Sequence, residues 1–388
     1  MNINIYKNHC CGCGECSIIC PTNAIKMKLN KQGFYYPVVI AKNCIYCSKC
    51  VNHCSYNNGS NKDLADSVLT SYAVKHKDEI IRAASRSGGV FTSLSDLVLD
   101  RGGVVYGCQL FDCRTAIHTR ATTKEERDAF RGSKYIQSET HQIFESVKND
   151  LLNGLWVLFS GTSCQVNAIK DFCGNIDCSK LLLVDIVCHG VPSSKIWTDY
   201  LKYIEKTNKK KIVSVDFRDK SKFGWAAHTE TFVFEDGTDH SSDYFRRLFY
   251  DHLILRKDCF ECPYRSLERI SDITIADCWG IAEHYPEFND NKGVSLVLVN
   301  TDQGQSFYNQ LSDIDYIEVD INNLMQPPLK ENWIIPKNYD EFWGFYNKRS
   351  FKKVINKYVL KKPSSYSRVK YFIRSNLATV YRKIVGKK

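Results

Sequence analysis

No run of about 20 unbroken apolar residues occurs in the 388 residues, so no transmembrane helix is expected. Nothing at the start resembles a signal peptide: Met1 to His9 is short and polar and runs straight into cysteines. Acidic residues are missing from Phe351 to Lys388, a stretch with twelve Lys and Arg. The formal net charge of +10 is therefore a property of this tail, and the other 350 residues sum to about −2. A nucleic-acid partner is accordingly not expected. No internal repeat exists apart from one doubled cysteine pattern. What the chain does have is cysteine: 18 in all, with 43% hydrophobic and 25% charged residues, ordinary values for a globular protein. So many thiols, in chemically patterned runs, argue for a reducing cytoplasm, as in an anaerobe, and against a disulfide framework.

The first run is Cys10, Cys13, Cys16 and Cys20, followed by Pro21. The second is Cys44, Cys47, Cys50 and Cys54, followed by Ser55. Three cysteines at two-residue gaps can wrap one corner of an iron–sulfur cube, and the fourth, three residues on, is turned towards the other cube. That logic gives one cluster Cys10, Cys13, Cys16 and Cys54, and the other Cys44, Cys47, Cys50 and Cys20. Zinc, which takes four ligands usually supplied in pairs, fits two such triples poorly. The pattern resembles a bacterial ferredoxin with two 4Fe-4S clusters. Gly12 and Gly14 suit it, because backbone amides must come close to the sulfides. Cys11 is an extra thiol inside the first run and leaves one alternative register open.

The expected organisation is a cluster domain at 1–57, a linker at 58–70, two body regions at 71–150 and 151–330, and a basic helical tail at 331–388. The expected fold class is α+β: a ferredoxin-like N-terminal domain followed by a mixed α/β body. In the body, strands are expected at Tyr72–Lys75, Val104–Phe111, Ala116–Ala121, Leu155–Phe159, Lys180–Val187, Ile273–Asp277 and Ser295–Asn300. Helices are expected at Val90 to about Asp100, Glu139–Leu152 and Ser194–Lys206. Ile212–Phe217 and Thr229–Phe234 alternate like an antiparallel pair closed by Asp236-Gly237. The tail patterns as an amphipathic helix. A helix docked on the body or simple disorder accounts for it, as does contact with an acidic partner or with a membrane surface, the last of which would make the protein membrane-peripheral.

Several strands end in a small polar loop that opens a helix, where helix N-termini offer amides to phosphates. Such loops are weak signals singly. Clusters, however, pass one electron at a time and most organic substrates exchange two, so a ferredoxin fused to an α/β body predicts a flavin between them.

Ser87-Gly88-Gly89, Gly132-Ser133-Lys134-Tyr135, Gly161-Thr162-Ser163-Cys164-Gln165, Cys188-His189-Gly190-Val191-Pro192-Ser193, Cys259-x2-Cys262-Pro263 and Asp277-Cys278-Trp279-Gly280 follow one another in this order. Over roughly residues 70 to 330 the combination resembles the family of the beta subunits of coenzyme F420 hydrogenases and dehydrogenases. Similar proteins occur in bacterial polysaccharide gene clusters, and a chlorophyll-cycle reductase shares the fold. The resemblance implies FAD, contacted by Ser87, Gly88, Gly89, Lys134, Tyr135 and the Thr162–Gln165 loop. It implies a third 4Fe-4S cluster on Cys164, Cys188, Cys259 and Cys262. Small buried hydrophobes, or a zinc site at Cys259 and Cys262, are the plainer readings of those thiols. Ser163 stands where Pro is usual, and Cys278 where an aromatic is commoner. Cys108, Cys113, Cys173, Cys178 and Cys278 are expected to be structural. His189, beside Cys188, is expected to cap a loop, tune a cluster or donate to the flavin.

The function implied is an iron–sulfur, flavin-dependent oxidoreductase: hydride exchange with a deazaflavin, and single electrons passed through the clusters to a redox protein partner. No general base is required, and no catalytic residue is singled out. Two alternatives stay open: the same scaffold reducing another small molecule in polysaccharide assembly, and an electron-transfer adapter without substrate chemistry.

Overall fold

Strand periodicity near the N-terminus ends in a tight turn, and the computed structural model, which describes residues 9–54, 56 and 68–360, shows why. Strands β1 (Ile25–Leu29) and β2 (Tyr35–Val39) pair antiparallel, Ile25 opposite Val39. Between them Asn30 Oδ1 accepts from the backbone N–H groups of Gln32 and Phe34, both at 3.0 Å, which closes the turn. Each cysteine run carries a one-turn helix, α1 (Glu15–Ile18) and α2 (Lys49–Asn52). The two runs share an unusual backbone. The second residue after the first cysteine and the first residue after the second cysteine are left-handed in both: Gly12 and Gly14 at φ 75° and 87°, Tyr46 and Ser48 at 56° and 60°. The first run meets this requirement with glycine, the second with residues that adopt it at a cost.

The body is built on one nine-stranded sheet. In chain order its strands are β3 (Thr70–His76), β4 (Val104–Phe111), β5 (Thr115–Ala121), β6 (Ser138–Glu139), β7 (Val157–Thr162) and β8 (Leu181–Ile186). A small antiparallel sheet intervenes: β9 (Ile212–Asp216), β10 (Glu230–Phe234) and β11 (Asp239–Ser242). Then come β12 (Ile273–Asp277), β13 (Ser295–Val299) and β14 (Ile314–Glu318). Their spatial order is β14-β3-β13-β12-β8-β7-β4-β5-β6. β4, β7, β8 and β12 run parallel at the centre, with antiparallel neighbours on both flanks. The architecture is thus mixed α/β around a large mixed sheet, and the sheet takes strands from both sides of residue 150.

Helices α3 (Glu79–Ala84), α4 (Val90–Leu99), α5 (Lys124–Asp128), α6 (Phe144–Leu152), α7 (Ser163–Cys173) and α8 (Ser194–Asn208) cover it. Period-2 alternation sorts β7 between two cores: Leu158 packs with Val90, Leu94 and Val98 of α4, whereas Val157 and Phe159 pack with Phe144 and Val147 of α6 and Val166 and Ile169 of α7.

Two expectations are corrected. The helix expected at Glu139–Leu152 begins only at Phe144, because 138–139 pair with β5 as β6 and Thr140 is engaged elsewhere. Asp236-Gly237 closes β10 on β11, not β9 on β10; β9 and β10 do pair, through a longer connection. The chain divides into two compact units, 1–339 and 340–388. The described part of the second unit includes the helix Phe351–Val354; the rest of the expected basic tail, 361–388, and most of the linker lie outside the described residues. No described helix is long and apolar enough to cross a membrane.

Candidate cofactor and electron-transfer site

Parallel strands aim their C-terminal ends at the same side of a sheet, and ligands collect in the crevice there. Here β7 ends in Thr162, β8 in Ile186 and β12 in Asp277, and all three residues or their neighbours line one cavity of about 780 Å³. That volume lies within the range of cofactor pockets, about 300–1,000 Å³. Ser87, Gly89, Lys134, Tyr135, Thr162 and Gln165 line it. Gly88 does not: it is packed beneath, its N–H donating to Ser295 Oγ at 2.9 Å, and an added Cβ would stand 2.1 Å from Val74 O.

Thr162 and Gln165 are occupied in starting α7. The Thr162 N–H donates to Gln165 Oε1 at 3.0 Å, the backward half of a capping box, while Gln165 Nε2 donates to Ser138 Oγ at 2.8 Å. Lys134 reaches the carbonyls of Ala129 and Arg131 at 3.0 and 2.8 Å. Burial lowers its pKa to about 8, so it remains mostly cationic at neutral pH.

Three further groups lie in the cavity wall or against it. His118 Nε2 lies 2.9 Å from Ser160 O, and its buried Nδ1 has no partner among the described residues. Burial pulls its pKa down to about 4, so the ring is neutral; Nε2–H donates and Nδ1 is a free acceptor. Arg218 and Asp277 pair at 2.6 Å, and Arg218 also meets Tyr135 Oη at 3.3 Å. Trp225 Nε1 donates to Asp277 at 2.8 Å, and its ring stacks on Trp279 at 5.0 Å. The Asp-x-Trp-Gly motif pointed at Asp277 and Trp279; Arg218 and His118 had no such signal. Cys108, expected to be only structural, also lines the cavity.

The cysteines gather in three groups. In the body, burial pushes Cys188, Cys259 and Cys262 up to about 12, and each feels other thiols of the set. Together these couplings connect every pair among Cys164, Cys188, Cys259 and Cys262. The sequence positions are remote; the fold joins the ends of β7 and β8 to the loop before β12. Buried Arg269 fixes that junction. It pairs with fully buried Asp185 on β8, donates to Ser163 Oγ at 2.7 Å, and holds Tyr264 O at 2.9 Å.

In the N-terminal segment, Cys50 feels Cys20, Cys47 and Cys44 behind the dominant effect of burial. Cys10, pushed up to about 11 by burial, feels Cys54. Both are crossed pairings of the kind the spacing implies. Cys11 lies between the first run and the body: its thiol, raised well above the ordinary range, interacts with those of Cys13 and Cys164. Groups of four soft thiols, those of Cys188, Cys259, Cys262 and Cys10 raised by burial, suit a cationic iron–sulfur guest that takes thiolates and releases their protons. Among the described residues no three His, Cys, Asp or Glu side chains converge as a single-ion cage.

The N-terminal segment is held on the body by named bonds. Tyr35 Oη donates to Glu139 at 2.6 Å, Thr140 Oγ1 to Cys13 O at 2.8 Å, and Ser194 Oγ to Gly33 O at 2.8 Å. His189, the expected loop cap, has its carbonyl held by Trp333 Nε1 and Arg265 at 2.8 and 2.7 Å. Its ring lies 2.9 Å from His252 Nε2.

Known proteins resemble the chain in both of these parts. Residues 155–323 match the family described as the C terminus of the coenzyme F420 hydrogenase/dehydrogenase beta subunit, and residues 9–58 match a 4Fe-4S dicluster domain. The F polypeptide of the F(420)H(2) dehydrogenase of Methanosarcina mazei is 23% identical over 335 residues, covering 80% of this chain and 84% of that protein. A polypeptide of the F420-reducing NiFe hydrogenase complex from Methanosarcina barkeri superposes with a TM-score of 0.46 at 16% identity, covering 67% of this chain and 85% of that one.

Proposed function

We propose that this chain, in which residues 9–58 match a 4Fe-4S dicluster domain and 155–323 match the C terminus of the coenzyme F420 hydrogenase/dehydrogenase beta subunit, is an iron–sulfur flavoprotein oxidoreductase exchanging electrons with a deazaflavin. The observation that carries the reading is continuity. The same cavity is lined by the 85–89, 131–138 and 160–165 loops, by Cys164 and Cys188 of the body group, and by Cys11 and Cys13 of the first run. A ring bound among those loops would share the cavity with thiols of both groups.

FAD bound there would supply the conversion between a hydride pair and single electrons. The chain's own residues do the rest. Ser87, Gly89, Lys134, Tyr135, Thr162 and Gln165 hold and orient the cofactor, with the Lys134 charge set against its anionic part. Phe249, Tyr250, Trp279 and Trp333 add aromatic wall that excludes water. Cys164, Cys188, Cys259 and Cys262 hold a cluster beside the cavity. Cys10, Cys13, Cys16 and Cys54 hold the next, and Cys44, Cys47, Cys50 and Cys20 the last. The outermost run suits a redox partner: Cys47 is exposed, and Ile45 and Tyr46 beside it are 61% and 54% exposed.

The test is anaerobic. The reconstituted full chain is assayed for iron, sulfide and flavin, and reduced coenzyme F420 is then added while flavin and cluster absorption are followed. About twelve irons per chain, one flavin and bleaching of both bands are expected. About eight irons would remove the body cluster. Reduction by dithionite but not by the deazaflavin would refute the substrate.

A further inference from the structure

Between the first cysteine run and the body group lies a side chain that neither needs as a ligand. Arg256 is wholly buried, three residues before Cys259. Its Nε donates to Cys10 O at 2.6 Å, and its own carbonyl accepts the Cys259 N–H at 3.0 Å. Two hydrogen bonds and one residue therefore connect a cysteine of each group. Nη1 reaches Tyr35 O at 3.0 Å and Gln137 Oε1 at 3.4 Å, and the guanidinium lies 3.9 Å over the Tyr36 ring. Nη2 is buried without a partner among the described residues. The backbone makes room for it: a Cβ at Gly12 would stand 2.9 Å from Nη1.

The anion facing Arg256 is Asp258, at 3.1 Å from Nε. Asp258 is shared: it also accepts the Cys10 N–H at 2.8 Å and the Tyr36 hydroxyl. The guanidinium acts electrostatically on Cys10, Cys164 and Cys259, so it reaches both groups.

We propose that Arg256 is a positioning residue that serves two clusters at once, carrying the hydrogen-bonded route between Cys10 and Cys259 and raising the reduction potential of the cluster on each side. This rests on the reading that both thiol groups hold clusters. The physical ground is simple. Reduction adds one negative charge to a cluster, and a fixed, buried cation favours that state. Asp258 opposes it, so the pair sets the potentials as a difference.

The experiment is a potentiometric titration followed by electron paramagnetic resonance on the reconstituted full chain, with iron counted first. Wild type, Arg256→Gln, Arg256→Lys and Asp258→Asn are compared. At about twelve irons, Arg256→Gln should lower two of the three cluster potentials, each by about tenfold in one-electron affinity, about 59 mV. Arg256→Lys should restore most of that, and Asp258→Asn should move the same two upward. If Arg256→Gln assembles too little iron, the sign of the Asp258→Asn shift decides. No shift, an equal shift of all three clusters, or a downward shift in Asp258→Asn overturns the proposal while leaving the three-cluster reading intact. A wild type with about eight irons would overturn both.

Discussion

His118 sits on β5 opposite Cys108, with its ring in the cavity wall and its one donor given to Ser160 O. Its folded pKa of about 4 lies below the ordinary 6.5. Between those values the unfolded chain takes up a proton that the folded chain refuses, so the stability His118 contributes is complete above pH 6.5 and is lost as pH falls towards 4. At pH 5 the loss should be on the order of 2 kcal/mol. Buried His228, lowered to about 2, acts in the same direction. His118→Gln should therefore flatten, without abolishing, the fall in urea midpoint between pH 7 and pH 5; parallel curves for the two proteins would rule this role out. The two N-terminal cysteine runs were visible at this scale because iron–sulfur ligation calls for such a spacing along the chain. His118 and Arg218 were not, because a single polar residue in a strand carries no mark of what the neighbouring strands bring against it.

The β7–α7 and β8 junctions show how elements place chemistry. Alternating apolar residues made the strands visible, and Thr162 with Gln165 marked a helix start. The Arg269–Asp185 pair was invisible, since its partners are separated by a helix, a small sheet and a cysteine loop. With Asp185 fully buried, Arg269→Met would leave a lone charge in the core. It should destabilise the protein by about 3–5 kcal/mol and loosen the loop carrying Cys262. Chemical denaturation measures the first effect, and iron retention relative to Arg269→Lys the second. A denaturation midpoint equal to wild type would show that the pair is not holding the junction. The difference at Asp236-Gly237 has a local cause: the turn lies where its residues place it, but Asp239–Ser242 carries no apolar residue, so the apolar pattern shows β9 as the partner of β10 and leaves β11 unmarked.

At the scale of the whole molecule, docking of the N-terminal segment depends on a few buried polar groups. Gln137, 7% exposed, is central: it accepts from Tyr35 N at 3.3 Å and from Arg256 at 3.4 Å, and it donates to Cys11 O at 3.4 Å. Gln137→Ala would strand these groups, at about 1–3 kcal/mol for each one left unsatisfied. Hydrogen exchange should then quicken across residues 10–54 while the central strands of the body stay protected. Uniform protection, as in wild type, would mean that Gln137 is not needed to hold the segment.

From composition and spacing alone, the chain's cysteine chemistry, the crossed ligand logic of its two N-terminal runs, most strand positions and the glycine-rich loops all follow. They are local properties, set by backbone geometry, burial period and metal stereochemistry within a few residues. Tertiary structure alone decided that Cys11 lies between two thiol groups, that Gly88 supports the cavity without lining it, and that Arg256 bonds toward both sides; the grouping of Cys164, Cys188, Cys259 and Cys262 was implied by family resemblance and not by their spacing. Those facts come from parallel strand order and from the docking of a small segment on a large sheet. Such long-range packing is selected by the shape and polarity of whole surfaces, and no short stretch of sequence encodes it.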